Sequence, residues 1–177
     1  MKPYWRKVYG GIALVARRKP DIKRIKNALQ FLKRKSPEDF SFVEKNLRAI
    51  LIVEGIGWYN EMFAKQGFWV GGEGGIGLSD NKPQSGYLAS LLLHEAEHVA
   101  QYRKYHRLYI GKKAERPAFL KQRKFLSKIG DEKRVRWLDE QWVSEWWKEY
   151  DTDERPIRIA HAFVERYEKG RVPLKDF

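Results

Sequence analysis

No cysteine occurs among the 177 residues. A disulfide framework and a thiolate metal site are both excluded, so any transition metal would have to be held by nitrogen and oxygen. Long apolar runs are missing too: nothing approaches the roughly 20 residues that span a bilayer, and no transmembrane segment is expected. The apolar stretch VYGGIALVA follows a basic MKPYWRK but carries two adjacent glycines and no small-x-small cleavage site. It reads as a core strand or helix rather than a signal peptide, and a cytoplasmic location is the expectation. Internal repeats and low-complexity segments are absent. Acidic charge is scarce, with 23 Asp and Glu against 36 Lys and Arg, a net charge of +13.

That excess is unevenly placed. Residues 1–35 are net +11 and residues 103–136 net +10, while the other stretches are net negative. Two such blocks suit nucleic acid, an anionic surface or an acidic partner, although lysine- and arginine-rich helices also keep their outer faces solvated this way.

What the chain does contain is LLLHEAEHVAQ, Leu91 to Gln101. His94 and His98 lie one helical turn apart on one face, so two imidazoles can converge on one ion. Glu95 is turned about 100° away, beside the ion rather than on it, where it can act as general base toward water. With four histidines and fifteen glutamates in the chain, this H-E-x-x-H string arises in a shuffled sequence roughly once in two hundred trials. Its context is helical: Leu88, Leu91, Leu92 and Val99 form an apolar stripe, and no breaker follows Gly86.

Around it the pattern predicts an N-terminal strand and then an amphipathic helix on Ile22, Ile25, Leu29 and Leu32. A second helix is predicted over about 37–46, with Ser36 as N-cap, and a strand over Ala49–Val53. Trp58–Gln66 fits either a short helix or irregular chain. Phe68–Val70 reads as a strand, with Gly71–Gly75 as a hairpin turn leading to an edge strand at Ile76, Gly77 and Leu78. The G-x-G-x-x-G string from Gly72 to Gly77 opens no helix and is rejected as a phosphate loop. After the motif helix come a helix begun near Pro117 and a long helix from Asp131 with an aromatic stripe on Val135, Leu138, Trp142, Trp146 and Tyr150. A last helix covers about 156–168. The acidic turn Asp151–Glu154 reads as a helix start rather than a metal site.

A catalytic zinc takes three protein ligands and leaves one position open. His106 lies about 12 Å along the axis from His98 on a continuous helix, and Gln101 stands where the longer H-E-x-x-H-x-x-G-x-x-H pattern has glycine, so His106 is a poor third ligand. Glu115 is the better one, because a short antiparallel return can bring a first-turn carboxylate back beside the motif helix.

HEAEHVAQ followed by ERPAFLKQ, after a strand and an edge-strand hairpin, resembles the gluzincin metallopeptidases, in particular the minigluzincins. The likeness covers about residues 40–130 and departs from the pattern at Pro117. It implies a single α+β, zincin-like domain: a small antiparallel or mixed sheet with an edge strand, an H-E-x-x-H helix and a ligand-glutamate helix. A basic segment 1–35 precedes that core, and a helical extension 131–177 follows it. It also implies one catalytic Zn2+ on His94, His98 and Glu115, with peptide-bond hydrolysis in which Glu95 takes a proton from water and returns it to the leaving amine. A peptide or protein substrate would pair with the edge strand at Ile76–Leu78, and flanking segments could hold such an enzyme latent. Tyr105, His106, Tyr109 and His161 are the candidates for stabilising the oxyanion. The competing expectation is a zinc-stabilised nucleic-acid- or partner-binding protein that uses the zincin scaffold to display its basic blocks.

Overall fold

The fold was analysed in a computed structural model, which describes residues 3–54, 60–72, 85–106, 112–144 and 154–177. Two strands open the chain, β1 (Tyr4–Tyr9) and β2 (Ile12–Ala16), paired antiparallel with Tyr9 opposite Ile12. The two-residue loop between them is Gly10-Gly11, with φ of 54° and 73°. A turn whose twist matches the strands needs φ > 0 at both central residues, and glycine takes it without steric cost. Gly10 has a second constraint, since a Cβ there would sit 2.7 Å from the Phe40 ring.

Two helices follow, α1 (Lys19–Lys35) and α2 (Pro37–Asn46), at the positions their periodicity predicts. α1 buries Ile22, Ile25, Ala28, Leu29 and Leu32 and turns its lysines outward. Ser36 does precede α2, with proline at the start of the helix, but its hydroxyl bonds no backbone N–H. It faces the Glu38 and Asp39 carboxylates at 2.8 and 2.6 Å and accepts from Lys128 Nζ at 2.9 Å. A distant lysine draws the acidic first turn and the serine together.

β3 (Ala49–Val53) is buried throughout, as its run of apolar residues predicts. β4 (Asn60–Phe63) and β5 (Phe68–Gly72) form an antiparallel hairpin turned at Gly67, with φ of 71°. Two expectations change here. Part of the stretch left open between helix and irregular chain is a strand, and Gly71 and Gly72 continue β5, paired with Ile52 and Val53, instead of starting a turn. Ile76, Gly77 and Leu78 lie outside the described residues. The edge strand beside β5 among the described residues is β4.

β6 (Leu174–Asp176) completes a mixed six-stranded sheet in the order β4-β5-β3-β2-β1-β6. The α+β class holds, with a larger sheet than expected because both ends of the chain add strands to it. One face, carrying Ile12, Leu14, Ile50, Ile52 and Trp69, is covered by α1, α2, α3 (Ser85–Tyr105) and Phe125 of α4 (Lys112–Lys128). The other, with Val15, Leu51, Val53, Phe68 and Val70, packs Ala160, Phe163 and Val164 of α6 (Glu154–Glu168). Cover on both faces explains why β3 is apolar at every position rather than at alternate ones. α5 (Glu132–Ser144) adds a satellite core in which Val135 and Leu138 pack on Phe119 and Leu126. Of the predicted aromatic stripe, Trp142 meets Phe119 at 4.9 Å between ring centroids, and Trp146 and Tyr150 lie outside the described residues. No helix among the described residues is long and apolar enough to cross a membrane.

The two loop glycines separate backbone strain from steric conflict. Gly11→Ala should cost about 1–2 kcal/mol, the left-handed penalty alone, since nothing lies within 4 Å of its added Cβ. Gly10→Ala should cost more, because the Phe40 ring must also move; equal losses in urea unfolding would refute that distinction.

Candidate metal site

The longest helix, α3, is held in one rotation by Leu88, Leu92, Leu93, Ala96 and Val99, all buried against the sheet and its helices. That orientation carries His94 and His98 toward α4. α4 can come close because it presents Ala114 and Ala118, 3% and 0% exposed, where it faces the motif helix. Glu115 lies between them in its first turn. α4 begins five residues before the expected start near Pro117, so Pro117 is its sixth residue and lies inside the helix, where the ring removes the hydrogen bond an N–H would make to the Lys113 carbonyl.

Three side chains meet at this crossing. His94 Nε2 and His98 Nε2 are 3.1 Å apart. Glu115 Oε2 lies 3.2 Å from His94 Nε2, and Glu115 Oε1 lies 3.6 Å from His98 Nε2. Ligand atoms bonded at about 2.0–2.1 Å to one tetrahedral ion stand about 3.3 Å from one another, which is the spacing seen. The cluster of His94, His98 and Glu115 can hold a metal ion, with its ligand atoms all within 4.8 Å. Two buried polar atoms in it, His94 Nδ1 and Glu115 Oε2, have no hydrogen-bond partner. For Oε2 the short approach to His94 is a charge contact without hydrogen-bond geometry. Two imidazoles and a carboxylate that converge this closely, with Glu115 Oε2 unpaired, fit a cation better than a closed polar core.

The electrostatics agree. Burial pushes His94 down, yet the close Glu115 carboxylate, the charges of Glu95 and Glu115 and the Gln122 amide together hold it above the ordinary imidazole value. His98 is lowered to about 4, by burial first and then by the charge on His94. Burial alone would raise Glu115, but His94 and His98 bring it below the usual carboxylate range. Glu95 is no member of the cluster; burial, with the nearby Glu115 charge, raises it to about 7 against the pull of His94.

Comparison with protein-family models, with curated proteins and with solved structures finds no match. What the site can do follows from its own side chains.

The other predicted residues are not part of this cluster. Tyr105 is 45% exposed at the end of α3, about 10 Å along the axis from His98. His106 follows it, exposed and in the left-handed region at φ 54°, so it is no ligand to this site. His161 stands on α6 against Phe63, at 4.8 Å between ring centroids. That is the opposite face of the sheet from α3, because Phe63 belongs to the core under α6. Helix periodicity carries no information about which face a later helix covers. Tyr109 lies outside the described residues. An open depression of about 370 Å³ lined by Arg6, Arg48, Phe68, Tyr167, Glu168 and Leu174 is also distinct from the metal cluster. Two residues that spacing did not single out, Gln101 and Gln122, are buried beside the histidines. Their signal is a long polar side chain in line with a ligand on an otherwise buried helix face.

The raised pKa of Glu95 has a consequence for the metal-free protein. Unfolded, the carboxyl ionises near 4.5; folded, it keeps its proton to about 7. The stability it contributes is present below the lower value and lost as pH rises through the higher one. In chelator, Glu95→Gln should stabilise the fold by roughly 2–3 kcal/mol at pH 8.5 and by little at pH 4.5; denaturant unfolding at the two pH values tests this, and a pH-independent effect would contradict it.

Proposed function

We propose that this chain is a zinc-dependent, gluzincin-like metalloendopeptidase with Glu95 as its general base. The observation that carries this reading is the composition of the site: two imidazoles and one carboxylate converge, and no fourth His, Asp or Glu joins them among the described residues. Structural zinc sites are closed by four protein ligands, whereas catalytic ones use three and keep a position open. A nitrogen and oxygen donor set without thiolate favours zinc among the borderline metals. When bound, zinc supplies Lewis acidity toward a carbonyl oxygen and acidifies water.

The chain's own residues supply the rest. His94 and His98 offer nitrogen donors when neutral, and Glu115 offers the negative charge. Glu95, next to His94 and outside the cluster, holds its proton to about pH 7. A carboxyl poised there can take a proton from water and give it to a departing amine at neutral pH. Among the described residues β4 is the edge strand next to β5, and α3 lies against it, which supports a role for this edge in pairing an extended peptide. The basic blocks lie largely on the outer faces of α1 and α4 and are consistent with solvation, so they add no second reading.

One equivalent of zinc should bind the wild-type chain, and chelation should lower its thermal midpoint. A peptide-library digest should show cleavage that Glu95→Gln abolishes while zinc stoichiometry stays at one. Undiminished cleavage by Glu95→Gln would exclude this base, and zinc-free wild-type protein would exclude the site.

A further inference from the structure

The ligand histidines use their Nε2 atoms toward Glu115, so each Nδ1 has to be satisfied from the other side of its ring. His94 Nδ1 is buried and makes no hydrogen bond. A buried N–H without an acceptor costs roughly 1–3 kcal/mol, and an imidazole that ligates through Nε2 carries its proton on Nδ1. An acceptor is therefore required beside each ring.

Two buried glutamines stand in the right places. Gln122, 3% exposed, lies two turns after Glu115 on the same side of α4. Its side-chain nitrogen donates to Ser90 Oγ at 3.3 Å, and the Ser90 hydroxyl donates in turn to the Tyr87 carbonyl at 2.7 Å. Ser90 is one turn before His94 on α3. Because the hydroxyl proton is spent on Tyr87, Ser90 can only accept from Gln122, which forces the NH2 end of the amide toward Ser90 and leaves the carbonyl end for its neighbour His94. Gln101, 8% exposed, stands one turn after His98 and donates its side-chain nitrogen to the Ala114 carbonyl at 2.9 Å. A carbonyl partner fixes that amide just as firmly, and the oxygen of Gln101 is the end left toward His98. Each glutamine thus ties α3 to α4 with its nitrogen and keeps its oxygen in reserve.

We infer that Gln122 and Gln101 are positioning residues that accept the Nδ1 protons of His94 and His98, holding both imidazoles in the tautomer whose Nε2 lone pair points at the metal position. This rests on the metal reading of the cluster. Both acceptors are neutral amides, so they orient the rings without adding negative charge to a site that already has Glu115. The same contacts link ring orientation to the α3–α4 crossing: Ala114, whose carbonyl holds Gln101, directly precedes the ligand Glu115.

The test uses the full chain, made metal-free and titrated with zinc against a chromophoric chelator. Gln122→Met and Gln101→Met, which keep length and remove the acceptor, should each weaken zinc binding about 10- to 100-fold. Gln122→Glu, which restores an acceptor, should recover most of the loss. A second readout is the imidazole 15N spectrum of metal-free protein at a pH where both rings are neutral. Wild type should show Nδ1–H for both histidines, and each Met variant should lose that preference at its own histidine only. Zinc affinity and tautomer unchanged in both Met variants would overturn the inference, as would a loss that Gln122→Glu does not rescue in protein that remains folded by circular dichroism. Failure of the metal reading is seen separately, as no stoichiometric zinc on the wild type, and the tautomer measurement then decides the glutamine contacts alone.

Discussion

The crossing of α3 and α4 is the constraint on which the site depends. Ser90, His94, His98 and Gln101 lie along one side of α3, and Ala114, Glu115, Ala118 and Gln122 lie along the facing side of α4, so a polar seam runs through an otherwise apolar packing surface. Such a seam is stable only if its groups satisfy one another, since each unpaired buried polar group costs roughly 1–3 kcal/mol. Most of it is satisfied: Gln101 bonds the Ala114 carbonyl, Gln122 bonds Ser90, and Ser90 bonds the Tyr87 carbonyl. Within the seam the deficit is confined to His94 Nδ1 and Glu115 Oε2. Of these, Glu115 Oε2 lies where the three side chains converge, and the stability given up there is the kind a bound cation restores, whereas His94 Nδ1 faces away from that point.

Everything else holds that crossing in place. The apolar side of α3 is clamped by α1, α2 and the sheet, which fixes its rotation. Near its C-terminal end, Arg103 donates to the Lys45 carbonyl at 2.6 Å and to Asn46 Oδ1 at 3.2 Å. At the far end of α4, Lys128 reaches Ser36 and Glu38 across 92 and 90 residues of chain. Exposed pairs of this kind contribute little to stability. Their value is geometric, because they tie the two ligand-bearing helices to the same element, α2, at points remote from the metal cluster.

How much of this could be read from the chain follows the range of each signal. His94 and His98 are an intrahelical pair, and Glu115 returns over a short connection, so local spacing suffices for all three. α1, α2 and β3 follow from periodicity and from Ser36-Pro37 in the same way. β4 escapes because Asn60-Glu61-Met62-Phe63 is short and lacks β-branched residues, which leaves its pairing with β5 as the only thing that makes it a strand. Gly71 and Gly72 mislead because glycine usually punctuates a sheet, whereas here both lie inside one, Gly71 paired with Ile52 and Asn60 and Gly72 with Val53. The side of the sheet taken by α6, which carries His161 away from the site, is decided by packing at the end of the chain. Gln101 and Gln122 are silent for a related reason: their role exists only once two helices are brought together.

The geometry also distinguishes what a proton and what a metal ion could do in the cluster. A proton bridges two atoms. Two imidazole nitrogens 3.1 Å apart could share one between them, but the carboxylate would then have nothing to bind, and a proton given to the His94–Glu115 contact leaves His98 facing a positive charge, which adds to burial in bringing its pKa down to about 4. No placement of one proton satisfies all three residues, and a second proton would set like charges on adjacent rings in a buried site. An ion that accepts three donors at once removes the conflict without adding a ligand, and Glu95, excluded from that set, is left beside it with a carboxyl that ionises near neutrality.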